Sequence, residues 1–147
     1  MQTAFTDIEK AVSSLGISDQ EFHELAAGES RRILRDLKAR YCDGVNTVWW
    51  WQHYSNAASW VPDVDGYTLL PVLCPDPRVL LIPHEEDEER IYESTPALIS
   101  RVLGECSAFE YSVAGIDLDW LLTENHHNVL IAVGEKAKQK LEEEKNA

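Results

Sequence analysis

Apolar residues along the first part of the chain recur at helical spacing. Phe5, Ile8, Val12 and Leu15 lie three and four apart, which predicts an amphipathic helix capped by Thr6 with Glu9 and stopped at Gly16. Ser18 with Glu21 forms a second capping box, flanked by Ile17 and Phe22 as a hydrophobic staple, and predicts a helix that passes Leu25 and ends near Gly28. A third helix is expected over 29–41, burying Ile33, Leu34, Leu37 and Tyr41 before Asp43-Gly44 breaks the chain.

Beyond that break the period falls from 3.6 to 2. Residues 47–52 (Thr-Val-Trp-Trp-Trp-Gln), 67–73 and 78–82 read as strands, with Pro71 favouring an edge or a bulge in the second. Thr95-Pro96 supplies an N-cap and an N1 proline for a helix through Leu98, Ile99, Val102 and Leu103 to Gly104. Phe109, Tyr111 and Val113 then alternate with polar or small neighbours. Ile116, Leu118, Trp120 and Leu122 alternate as well, so Asp117 and Asp119 are expected on one face of a strand. A polar turn at 125–128 leads to a buried strand at 129–133, and a polar helix closes the chain over 135–147. The pattern predicts an α+β fold: a largely antiparallel sheet of five to six strands packed against N-terminal and C-terminal helices that cover one face. With no repeat and no linker, 1–147 reads as a single domain. Its parts are a helical 1–42, a sheet-forming 46–134 with one inserted helix, and the final helix.

Charge changes this picture most. The chain carries 26 acidic and 13 basic side chains, a net charge of −13. Residues 41–134 hold fifteen acids against Arg78, Arg90 and Arg101, a local balance of −12. Five bases (Arg31, Arg32, Arg35, Lys38 and Arg40) cluster on the third expected helix. Such a balance argues against nucleic acid and against anionic membrane surfaces as partners. No apolar run reaches the 18 residues of a membrane span, and the first residues lack the basic and apolar regions of a signal peptide. Three widely spaced cysteines, Cys42, Cys74 and Cys106, suggest reduced thiols and hence a cytoplasmic protein.

Several groups are candidates for chemistry. Glu124, His126 and His127 share the polar turn, where a carboxylate and two imidazoles would suit metal binding or proton transfer, with His84 as a possible third imidazole. Adjacent strand residues face opposite ways, so the two histidines meet one ion only if the turn twists them together; otherwise these groups hydrogen-bond the turn and set its shape. The acidic run Glu85, Glu86, Asp87, Glu88 and Glu89 is either a solvated loop or a docking surface for a basic protein. Asp117 and Asp119 would extend that surface. Among the clustered tryptophans, Trp50 or Trp60 would be the apolar anchor if exposed, and core if not. No phosphate-loop, dinucleotide or nucleophile-elbow motif is present, which weighs against an enzyme, and no cofactor is expected.

The stretch from Phe109-Glu-Tyr-Ser through Asp119-Trp-Leu-Leu-Thr-Glu-Asn-His-His-Asn-Val-Leu-Ile131 resembles a motif of small bacterial domains of uncharacterised function. As a short, strongly acidic α+β domain, the chain is also similar in type to the immunity proteins of bacterial toxin systems. That resemblance implies a non-enzymatic protein that neutralises a basic toxin or nuclease by occlusion. The alternative from the residues is a small metal-binding or hydrolytic enzyme centred on Glu124, His126 and His127.

Overall fold

The computed structural model describes residues 3–43, 49–85 and 88–147. These form seven strands: β1 (Phe22–Glu24), β2 (Ala58–Trp60), β3 (Val79–Pro83), β4 (Tyr92–Ser94), β5 (Tyr111–Gly115), β6 (Leu121–Glu124) and β7 (Leu130–Val133). Five helices accompany them: α1 (Ala4–Ser14), α2 (Ala27–Tyr41), α3 (Leu70–Leu73), α4 (Pro96–Gly104) and α5 (Glu135–Lys145). The strands make one open sheet in the order β1-β4-β3-β5-β6-β7-β2, and every pairing is antiparallel. The fold is therefore α+β, with seven strands where the sequence pattern predicted five to six.

The two extra strands at the sheet edges and the short β4 have no periodic signature. Tyr92–Ser94 is three residues long beside the charged Arg90, and its pairing with both β1 and β3 makes it a strand. The Ser18–Glu21 capping box does form, with Glu21 N–H donating to Ser18 Oγ at 3.3 Å and Ser18 N–H to Glu21 Oε1 at 3.1 Å. It closes only a turn. Phe22 then leaves it to pair with β4 and to pack its ring 5.3 Å from that of Tyr92. Tertiary pairing overrides a local helix start here.

Residues 67–73 are also corrected, from strand to helix. Gly66–Leu69 is a 3-10 turn that sets Tyr67 against α4, and the following α3 packs Leu70 and Leu73 against α4 and α5, while Pro71 sits in its first turn, where its missing N–H is harmless. In the tryptophan segment, Trp50–His53 is a 3-10 turn rather than a strand, and Thr47 and Val48 lie outside the described residues. The 109–122 stretch is a hairpin whose turn holds Leu118 at φ 59°, so Asp117 and Asp119 sit in a turn and do not share a strand face.

Helices cover both faces of the sheet, not one. The face carrying Val79, Leu81, Tyr111, Val113 and Leu122 packs against Phe5 and Ile8 of α1, Ile99 and Val102 of α4, and Leu141 of α5. The opposite face, with Leu80, Ile82, Ala114 and Leu121, packs against Ile33, Leu34 and Leu37 of α2 and against Trp50. The α4 start is as expected, with Thr95 Oγ1 accepting from Leu98 N–H and Pro96 at N1. For α1 the cap is Thr3 with Thr6, three residues ahead of the expected Thr6 with Glu9.

Candidate binding site

The 125–128 turn is built by Asn125, whose Oδ1 accepts from His127 N–H at 2.9 Å and Val129 N–H at 3.1 Å. Asn128 adopts φ 60°, a left-handed conformation asparagine tolerates well. Register then decides what stands beside the turn. Tyr111 pairs with Glu124, so the preceding Glu110 lies next to His126. The Glu110 carboxylate accepts the His126 backbone N–H at 2.7 Å and also bonds His126 Nδ1. Trp51 Nε1 donates to the other Glu110 oxygen at 3.4 Å.

These bonds gather four rings at one end of the sheet. The His126 and His127 ring centres are 3.9 Å apart, Trp51 lies 6.0 Å from each, and Trp49 is 6.4 Å from His126. The turn does bring the two imidazoles together, but His126 spends Nδ1 on Glu110. Trp50, an expected anchor, is a correction: it is 3% exposed, stacked on His84 at 4.6 Å. The exposed tryptophan is Trp49, at 48%. Trp60, on edge strand β2, is half-buried against the core.

Adjoining this cluster is a cavity of about 220 Å³, lined by Asp65, Tyr67, Phe109, Tyr111, Glu124 and His126 together with Cys106 and the two turn asparagines. Among the described residues no lysine or arginine lines it. Tyr111 Oη donates to Glu124 Oε1 at 2.7 Å. Burial raises the Glu124 carboxyl above its ordinary value; the Tyr111 hydroxyl and Gly66 N–H oppose that, and the Asp65 charge adds to it. Gly66 is there for a reason of space, since a Cβ would stand 2.7 Å from Glu124 Oε2. Cys106 is a poor nucleophile at neutral pH, because burial pushes its thiol up to about 11 and Sγ donates to Val102 O at 3.2 Å.

His84 does not join this site. It continues β3 on the opposite face, where Nε2 meets Ser112 Oγ at 2.8 Å. Ser112 Oγ in turn bonds Thr123 Oγ1 at 2.6 Å, and Thr123 bonds Tyr54 Oη at 2.7 Å. Nδ1 is buried without a partner among the described residues, and burial, then the charge of Lys38, pushes the imidazole down to about 3. A sheet thus separates it from Glu124, and among the described residues no three His, Cys, Asp or Glu side chains converge as a metal would need.

The acidic run is partly turned inward. Glu85 Oε1 accepts Ala4 N–H at 2.9 Å, a carboxylate on the positive end of α1, and Glu88 pairs with Arg90 at 2.9 Å. Glu89 is exposed, and Glu86 and Asp87 lie outside the described residues. Asp119 pairs with Lys136 of α5 at 3.1 Å, and Asp117 is exposed. Sequence reasoning missed Glu110 and Asp65, single acids with no motif. The hairpin register, which places Glu110 one step before the partner of Glu124, was the signal that would have found the first.

The sequence signature of DUF6756, a family of unknown function, matches residues 3–145. The chain belongs to that family. No curated protein and no solved structure matches it. The DUF6756 match takes in both faces of the sheet and the whole of the ring cluster and cavity. Among the described residues no helix is long and apolar enough to cross a membrane.

Proposed function

We propose that this protein is a non-enzymatic acidic binding protein that neutralises a basic partner, a toxin or nuclease in the manner of a bacterial immunity protein, by occluding its cationic surface. The observation that carries this reading is the end of the sheet where Trp49, Trp51, His126 and His127 surround Glu110 beside a cavity that, among the described residues, has two carboxylates and no lysine or arginine. Aromatic anchors next to unbalanced acids suit a protein interface with a cationic partner. The net charge of −13 would steer such a partner from a distance. The docking residues move accordingly. Trp49 replaces Trp50 as the anchor, and Glu124 and Asp65 join Glu89 and Asp117 as the acids available to a partner, while Glu110, both of whose oxygens are bonded by His126 and Trp51, holds the rings in place.

The test uses the full chain as bait at low and high salt, followed by assay of the captured protein's own activity. The reading expects one basic protein held in stoichiometric amount, inhibited by the bait, weakened by salt, and bound about tenfold or more weakly by Trp49→Ala, since interface tryptophans of this kind are often worth about 2 kcal/mol. A partner whose activity survives saturation with the bait, or that binds Trp49→Ala equally well at high salt, sinks it.

A further inference from the structure

The cavity is too small for a nucleotide or a drug-sized ligand, whose pockets run to about 300–1,000 Å³. At about 220 Å³ it accommodates the head of one side chain. Its walls are rings: Tyr67, Phe109 and Tyr111, the last two meeting edge-on at 6.3 Å and 75°. Its two carboxylates lie at different depths, Asp65 exposed and Glu124 half-buried. Tyr111 and Gly66 satisfy part of the Glu124 carboxylate, which has roughly four acceptor positions, so acceptor capacity is left over.

We propose that this cavity binds a guanidinium group, and that in the complex described above the group is an arginine side chain of the partner. The second half of the statement rests on the binding-protein reading; the first does not. Guanidinium is planar and weakly hydrated, stacks on aromatic faces and pairs with carboxylates through a fork of N–H donors. Ammonium, a strongly hydrated point charge, gains less from ring walls. A neutral ligand would leave the mutual repulsion of Asp65 and Glu124 in place, and an anion would add to it.

The experiment is an NMR titration of the full chain, following the backbone amides of Gly66, Asn125 and His126. The probes are N-acetyl-arginine methylamide, free arginine, agmatine and the uncharged citrulline analogue of the first. Expected is saturable binding of the capped arginine at about 1 mM, no saturable shift with citrulline, and about tenfold weakening in Asp65→Asn and in Glu124→Gln. Asp65 is exposed, so that variant reports on the site even if Glu124→Gln fails to fold. Equal binding of citrulline, or full binding by Asp65→Asn, overturns the guanidinium assignment. Tighter binding of agmatine or free arginine than of the capped residue overturns the partner-side-chain half alone. A basic partner that is lost with Trp49→Ala but held normally by Asp65→Asn and Glu124→Gln overturns this inference and leaves the binding-protein reading standing.

Discussion

His84 couples folding to pH in a way the structure makes quantitative. Its ring is clamped between Trp50 and the Ser112 hydroxyl, and Lys38, whose Nζ stands 5.8 Å from the Trp50 ring centre, opposes a second positive charge there. The folded chain therefore holds the imidazole neutral down to about 3, while the unfolded chain takes up its proton near the ordinary 6.5. Between those values the unfolded state binds more protons, so this contribution is whole above pH 6.5 and is lost as the pH falls towards 3. Integrating that single site from about pH 7 to about pH 5 gives a loss of about 2 kcal/mol. With a urea m-value of about 2 kcal/mol/M, the midpoint drops by about 1 M. His84→Gln keeps an amide that can meet Ser112 Oγ but removes the titration. Urea unfolding of both chains at the two pH values isolates the effect from the other histidines. The variant should lose about 2 kcal/mol less than the wild type over that interval. Parallel pH dependence in the two chains would refute the claim that His84 is held neutral by burial.

Other outcomes follow from single contacts. Trp120→Phe strips the Asp76 carboxylate of the indole N–H that reaches it at 2.6 Å, and should cost about 1–3 kcal/mol in urea unfolding. Gly66→Ala forces the Glu124 carboxylate off Tyr111 and should lower stability by about 1 kcal/mol. The cost should shrink in a Glu124→Ala background, a coupling that a double-mutant cycle measures directly. Cys106, with its thiol pushed from 9.0 up to about 11, should alkylate roughly a hundredfold more slowly than a small-molecule thiol of ordinary pKa at neutral pH, followed by mass spectrometry of the folded chain.

Local signals were legible where one stretch of chain carries the whole cause. Thr95-Pro96 starts α4 because a side-chain oxygen and a missing N–H act within three residues. The 125–128 turn closes on Asn125 for the same reason. Along 67–73, by contrast, two periods were possible, and packing of Leu70 and Leu73 against α4 and α5 chose the helix. For the candidate site, Glu124, His126 and His127 were visible as a polar turn. Their neighbours Glu110, Asp65 and Trp49 were not, because they arrive from three other segments.

Taken alone, the sequence determined the α+β class, the acidic balance, the capped start of α4 and the polar turn, since each depends on composition or on contacts between near neighbours. Tertiary structure decided the rest. Strand register placed His84 and Glu124 on opposite faces of the sheet, the second core took Trp50 and left Trp49 exposed, and Asp65 met Glu124 across nearly sixty residues of chain. A side-chain period of two means that a shift of one residue reverses every such assignment. Pairing partners for short strands are chosen by the energy of the whole sheet, which no local stretch contains.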